Sequence, residues 1–217
     1  MNTAAKRIGN GNDMWEELTI WQQNLNKSQT GQHDLISSRK LTNAGIDLIV
    51  LQEPSINFLG KTVASQDWIP IYPTTHEKEQ RKTRAITLVS GKIPTKNWEQ
   101  IDFHSGVVVV VLITGNWGQL ILFNIYNDCT HNHTLQMLTK SHRDHSGMLT
   151  GREAETEKHH IIWLSDFNRH HPLWDSPDNH RLFIKEALDT AEMLIKQQQT
   201  TEWKWPSHRR YQHTSTT

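Results

Sequence analysis

The sequence holds one cysteine, Cys129, among 217 residues. A lone cysteine excludes an internal disulfide framework and a cysteine-built zinc site. Long apolar runs are missing too. The longest, Val107 to Ile113, falls far short of the roughly 20 residues that cross a bilayer, so no membrane partner is expected. No excess of charge exists: Lys and Arg number 23, and Asp and Glu number 23. No overall field therefore draws the chain to a polyanion, and any affinity for nucleic acid must come from a local basic face. Residues 1–17 are polar and carry no secretory signal. Hydrophobic residues make up 35% and mean hydropathy is −0.67, polar for a globular domain. The middle of the chain is nevertheless too apolar for a disordered one. The expectation is one intracellular domain of ordinary size. Against this general scarcity stand 14 His and nine Trp.

The first ordered pattern is Leu18 to Asn24, where Leu18, Ile20 and Gln22 alternate with Thr19, Trp21 and Gln23. That period of two predicts a strand. His33 to Ala44 reads as a short helix stopped by Gly45. Ile46 to Glu53 is an almost continuous apolar run before Pro54, the pattern of a buried strand. Further strands are expected at Ala85 to Ser90, Val107 to Ile113, Leu120 to Tyr126 and His160 to Asp166. Asn116-Trp-Gly118 turns the second of these into the third as a hairpin. Helices are expected from Thr134, as N-cap, to about Gly147, and from Arg181 to Gln199. The three expected segments are a polar leader over 1–17, one domain over 18–196 and a divergent tail over 197–217. Helices and hairpin-connected strands together predict an α/β fold with mixed sheets packed face to face.

Four apolar strands end in polar residues: Gln22-Gln-Asn24, Gln52-Glu53, Tyr126-Asn-Asp128 and Asp166-Phe-Asn168. Each end alone is ordinarily a cap or a turn. Together they offer carboxylates, amides and a phenol on rigid elements, a set of hard donors suited to Mg²⁺ and phosphate.

The order Gln-x-Asn, Leu-Gln-Glu, Ile-Tyr-Asn, Asp-Phe-Asn resembles the endonuclease/exonuclease/phosphatase superfamily of DNase I-like nucleases and apurinic endonucleases. Gln22 to Ser28, Leu51 to Pro54, Phe123 to Asp128 and the long Trp163 to Asp175 segment look most like the endonuclease domain of fungal non-LTR retrotransposons. The similarity runs from about Leu18 to Ile195. It implies a four-layer α/β sandwich of two mixed sheets flanked by helices, and a Mg²⁺-dependent, or Mn²⁺-dependent, nicking activity on DNA. By the same resemblance Glu53 and Asn24 hold the metal, Tyr126 touches the scissile phosphate, Asp166 activates the attacking water, and Asn168 binds the phosphate. Arg84, Asn127, His170 and His171 are implied substrate contacts. A reverse transcriptase domain normally shares the polyprotein, and a DNA substrate implies access to the nucleus.

The resemblance also implies a Ser-Asp-His or Asp-His motif after Asp-Phe-Asn. None occurs between Arg169 and Thr217, so the fold is expected to be incomplete at its C-terminus. Back-translating Thr200 to Thr217 with the frame shifted by two bases permits Asn-Arg-Met-Glu-Met-Ala-Leu-Pro and then Ile-Pro-Thr. This resembles the next segment of those endonucleases and suggests a frameshifted element. Three readings follow: a nicking endonuclease, an inactive remnant that binds DNA or metal weakly, and a phosphatase acting on a phosphomonoester or lipid headgroup. The Asn168 to Trp174 stretch argues against the third. The His pairs lack a His-Glu-x-x-His helix, so zinc is not expected. Lys78, Arg81, Lys82 and Arg84 read as a solvated loop, with DNA-backbone contact as the minority reading.

Overall fold

In β2 (Leu48–Gln52), β4 (Ala85–Ser90), β6 (Val108–Gly115), β7 (Gly118–Tyr126) and β8 (His159–Asp166), apolar and often β-branched residues crowd the strand interiors, while β1 (Ile20–Asn24) has one β-branched residue, Ile20. Such side chains lose little freedom on a pleated surface and gain by burial. The computed structural model describes residues 17–37, 40–63, 65–127, 133–144 and 159–166, with the backbone alone at 142–144 and 159. Two short strands, β3 (Trp68–Ile71) and β5 (Trp98–Ile101), complete two mixed sheets of four strands, in the orders β1-β2-β4-β3 and β5-β6-β7-β8. β1 lies parallel to β2 and β7 parallel to β8, while β2–β4, β3–β4, β5–β6 and β6–β7 are antiparallel.

The side-chain period of two builds the core. Leu48 and Val50, Ala85 and Val89, Val109 and Val111, and Leu120 and Leu122 meet between the sheets, with Leu18, Ile20, Ile162 and Leu164 at the margin. On the opposite face of the first sheet, Ile49, Leu51, Ile86 and Leu88 pack with Leu25, Ile36, Leu41 and Ile46. These last belong to, or flank, two helices, α1 (Gln29–Ser37) and α2 (Lys40–Asn43). The two sheets belong to one compact unit. Asn127 and α3 (His133–Asp144) belong to a second unit. Within α3, Leu135 and Leu138 are buried, and the Thr139 hydroxyl donates to the Leu135 carbonyl at 2.8 Å. Among the described residues no helix is long and apolar enough to cross a membrane.

The expected strands are all present. The hairpin turns on Asn116 and Trp117, with Gly115 opposite Gly118. The expected helix over 33–44 differs: it starts at Gln29 and is two helices. Ser28 explains the earlier start, because its hydroxyl accepts the Gly31 amide at 3.1 Å and so caps α1. The stop at Gly45 is as expected. Its φ is 71°, the Gly45 amide donates to the Thr42 carbonyl, and the Ile46 amide donates to the Leu41 carbonyl. That pair of bonds is the Schellman arrangement, and Leu41 and Ile46 supply its apolar contact. A Cβ at Gly45 would meet nothing within 4 Å, so only the left-handed backbone opposes a side chain. Gly45→Ala is therefore expected to destabilise the fold by about 1 kcal/mol, read as a lower urea midpoint with an unchanged slope.

Thr134 is not the cap of α3, because the helix begins one residue earlier, at His133. Residues 1–16 of the leader expected over 1–17, Cys129, residues 145–158, the expected helix over 181–199 and the tail lie outside the described residues.

Candidate functional site

The inner-facing rows change character toward one end of the sandwich. Along β1 the row reads Leu18, Ile20, Gln22, Asn24. Along β2 it reads Leu48, Val50, Gln52. Along β7 it reads Leu120, Leu122, Asn124, Tyr126, and along β8 it reads Ile162, Leu164, Asp166. The β1, β2 and β7 rows pass from apolar core to a polar layer, the β8 row stays apolar through Leu164, and β1, β7 and β8 reach a final polar layer one pleat further on, about 7 Å along the strand. Parallel pairing of β1 with β2 and of β7 with β8 sets Asn24 against Gln52 and Tyr126 against Asp166.

The polar layer is a closed hydrogen-bonded bridge between the sheets. Gln52 and Asn124 are both fully buried. Gln52 Nε2 donates to Asn124 Oδ1 at 2.8 Å. Asn124 Nδ2 faces three acceptors: the Ile86 carbonyl at 2.9 Å, the Leu51 carbonyl at 3.2 Å and Thr87 Oγ1 at 3.4 Å. Gln22 Nε2 donates to Gln52 Oε1 at 3.4 Å and to the Ser165 carbonyl at 3.1 Å. Amides in a dry core are tolerated because each is satisfied. The sequence reading noted Gln22 and Gln52 only as strand ends and gave Asn124 no role. The signal was present in Asn124, an amide in the inner-facing phase of an otherwise apolar strand.

Above this bridge lie Asn24, Glu53, Tyr126 and Asp166. The Asn24 amide nitrogen hydrogen-bonds to Asp166 Oδ2, and Asn24 Oδ1 accepts the Asn26 amide at 2.7 Å. Glu53 leaves the strand with φ of 46°, and Asn26 and Lys27 are also left-handed, at 45° and 58°. A glutamate in this region is strained by order 1–3 kcal/mol. The conformation is held from both sides: the Glu53 amide donates to the Arg84 carbonyl at 2.8 Å, and its carbonyl accepts the Lys27 amide at 2.8 Å. This turns the carboxylate toward the Tyr126 phenol, which donates a hydrogen bond to it.

Burial, then the bond to Glu53 and the fields of Glu53 and Asp166, push the Tyr126 phenol up to about 12; the Arg84 guanidinium partly opposes them. Tyr126 therefore stays a hydrogen-bond donor at neutral pH. Arg84 is half-buried, and its Nη1 donates to the carbonyls of Arg81 and Thr83 at 3.0 and 3.2 Å. Lys82 pairs with Glu79 at 2.6 Å, while Lys78 and Arg81 are exposed.

Asn24, Glu53, Tyr126, Asp166 and Arg84 are thus brought together. Asn127 is buried and belongs to the other unit. Asn168, His170 and His171 lie outside the described residues. For a divalent cation the donor set is two carboxylates, Glu53 and Asp166, with the Asn24 carboxamide. Among the described residues no group of three His, Cys, Asp or Glu is assembled. Hard oxygen donors limited to one or two carboxylates fit Mg²⁺, which keeps several of its waters, and do not fit a structural zinc site.

Two mixed sheets face to face, with a polar cluster at the carboxyl ends of β1, β2, β7 and β8, define the DNase I-like α/β fold. No protein-family model and no curated protein matches the sequence. Solved structures do match. The endonuclease domain of TRAS1, a telomere-specific non-LTR retrotransposon, aligns with 83% of this chain and 70% of its own length at 14% identity and a TM-score of 0.57. The apurinic endonuclease LMAP from Leishmania major aligns with 85% of this chain and 66% of its own, at 12% identity and a TM-score of 0.58. The catalytic domain of Xenopus laevis APE2 aligns with 82% and 66%, at 16% identity and a TM-score of 0.50. The chain spans about two thirds of the length of these structures. At such identities the likeness establishes the fold and not the activity.

Proposed function

We propose that this chain is a metal-dependent phosphodiesterase that nicks DNA, of the non-LTR retrotransposon type. The observation that carries the reading is the convergence of Asn24, Glu53, Tyr126 and Asp166, from four strands, on one end of a DNase I-like sandwich. A fold shared with nucleases adds support.

In this reading the chemistry is hydrolysis of a phosphodiester. Asp166 accepts a proton from water as its oxygen attacks phosphorus, and the P–O bond to the leaving group breaks on the opposite side. Asn24 fixes the Asp166 carboxylate through its amide N–H and so orients it toward the water. The Tyr126 phenol, which stays protonated, turns its hydrogen bond to a non-bridging phosphate oxygen. Arg84 adds positive charge beside it. Glu53, with Asn24 at its side, would hold Mg²⁺, or Mn²⁺, which when bound neutralises charge on the phosphoryl oxygens and leaving group. Asn168, His170 and His171 are proposed to contact the substrate.

A second reading is an inactive fold that binds DNA or metal without turnover. Catalytic groups act as a unit and losing one costs orders of magnitude, so the fold with Asn24, Glu53, Tyr126 and Asp166 in place does not by itself entail turnover. Supercoiled plasmid separates the two. The active reading expects conversion to the open circle in Mg²⁺, none in EDTA, and none by the Asp166→Asn variant in Mg²⁺. A folded chain that leaves plasmid supercoiled in both Mg²⁺ and Mn²⁺ would establish the second reading.

A further inference from the structure

Among the described residues only two large hydrophobic side chains are exposed, Phe58 at 93% and Leu59 at 63%, and they are adjacent. They form the tip of a turn that is unusually well tied for a surface loop. Asn57 Oδ1 accepts the amides of Leu59 and Lys61, each at 2.9 Å. The Asn57 amide donates to the Lys61 carbonyl at 2.8 Å, and the Gly60 amide donates to the Asn57 carbonyl at 3.0 Å. Gly60 has φ of 71°, and the Gln80 side chain closes over it so that no Cβ would fit.

The base of the turn is tied to the folded body from three directions. The Gly60 carbonyl accepts His76 Nε2 at 2.7 Å, and Nδ1 of the same buried ring accepts the Thr83 hydroxyl at 2.7 Å. The Thr62 amide donates to the Tyr72 hydroxyl at 2.9 Å, and Tyr72 stacks on His76 with centroids 4.2 Å apart. Gln32, fully buried, hydrogen-bonds to Thr62 and accepts the Ser55 amide at 2.7 Å.

A phenylalanine and a leucine fixed in water by so many bonds gain nothing for the isolated fold. Ordering is already accomplished, so a partner that accepts the tip meets little further entropy cost. Charge indicates which partner. The turn and the segment His76 locks it to carry Lys61, Lys78, Arg81, Lys82 and Arg84 against two carboxylates, Glu77 and Glu79. Only Lys82 of these cations has an ion pair within this stretch.

We propose that the Asn57–Lys61 turn is a wedge for duplex DNA: Phe58 and Leu59 enter a base step while Lys61, Lys78 and Arg81 hold the flanking phosphates. Apolar side chains that part a base step, flanked by cations, are a general means of gripping duplex DNA. The proposal rests on the reading of the neighbouring site as one that acts on DNA. Chain length bounds its position. Phe58 follows Glu53 by five residues, so their Cα atoms are at most about 18 Å apart. At 3.4 Å per base pair this is about five steps of duplex. The wedge therefore acts close to the scissile phosphate and can choose the site of nicking through the flexibility of the step it enters.

The test uses the full chain, a fluorescent 20-base-pair duplex in EDTA, and 2-aminopurine placed at successive steps. The expected result for the Phe58→Ser/Leu59→Ser variant is about tenfold weaker binding, an unchanged salt slope, and loss of the 2-aminopurine brightening that the parent causes. Phe58→Tyr should keep parental affinity, and Lys61→Ala should lower the salt slope by about 0.9. Equal affinity and brightening in the parent and the double-serine variant would overturn the wedge, while plasmid nicking by the parent would leave the nuclease reading intact. Parent that binds anionic phosphatidylserine vesicles and no duplex overturns it in favour of a lipid surface. A parent that binds neither overturns the wedge as well.

Discussion

Replacing Glu53 with asparagine is expected to abolish Mg²⁺-dependent nicking and at the same time raise the melting temperature. The two effects come from one residue doing two incompatible things. Its backbone sits at φ of 46°, where asparagine is several-fold more at ease than glutamate. Its side chain is the carboxylate proposed to hold the cation. Asparagine keeps the turn and removes the charge. The strain relieved is of order 1 kcal/mol, which raises Tm by roughly 2–4 °C in a domain of this size. Loss of several kcal/mol of charge stabilisation in the transition state slows nicking by about 10³-fold. Thermal melting and a plasmid time course measure both. Retained nicking would move the metal-holding role away from Glu53. A lower Tm would mean that the bond between Glu53 and the Tyr126 phenol outweighs the strain in the backbone.

That strain bears on how much of the molecule could be read in advance. The strands with a buried face announced themselves through composition: all five residues of β2 and all six of β4 are buried, and no polar periodicity obscures them. β3 and β5 gave no such signal. Both are edge strands, at the outside of their sheets. β3 contains Pro70, which a strand accepts only where one side of its backbone is unpaired, and β5 exposes Glu99 and Gln100. At four residues each, these two edge strands are too short to write a pattern. Position, by contrast, was legible: amides, carboxylates and a phenol ending apolar runs marked Asn24, Glu53, Tyr126 and Asp166, which the fold brings together at the candidate site. Their geometry was not. The left-handed backbone of Glu53 follows from bonds to Arg84 and Lys27, residues 31 and 26 positions distant, and no local pattern reports such partners. For the same reason the Asn57–Lys61 turn was silent. Its rigidity depends on Gln32, Tyr72 and His76, which come together only in the fold. Asn168, His170 and His171 lie outside the described residues and stand on resemblance alone.

The amide bridge beneath the site gives the other large expected effect. Asn124→Leu removes the acceptor of Gln52 and the donor to the Leu51 and Ile86 carbonyls. Gln52 Nε2 is left in a core where no water reaches it, while the Leu51 and Ile86 carbonyls keep each other's amides in the β2–β4 ladder. An orphaned buried polar group costs about 1–3 kcal/mol, so a loss of roughly 3 kcal/mol is expected from urea unfolding. Gln52→Leu leaves Asn124 Oδ1 unsatisfied and is expected to cost about 2 kcal/mol. The double variant discriminates between packing and pairing. If the two amides act as a satisfied pair, replacing both with leucine removes the Gln52 Nε2 donor together with its acceptor, and the double variant is expected to be about 1–2 kcal/mol more stable than the sum of the singles predicts. Additive losses would show that the amides contribute as separate side chains. The bridge joins β2 to β7, and it sits one pleat below Tyr126 and beside Glu53. It therefore sets the distance between the halves of the site that come from different sheets. Apolar side chains of similar volume could fill the space, but they have no preferred register across an interface between sheets. A hydrogen-bonded pair fixes one register, because every other one leaves it unpaired. Nicking should accordingly fall in the double variant further than its residual stability explains, since a displacement on the order of 1 Å between reacting groups costs about 10²-fold in rate.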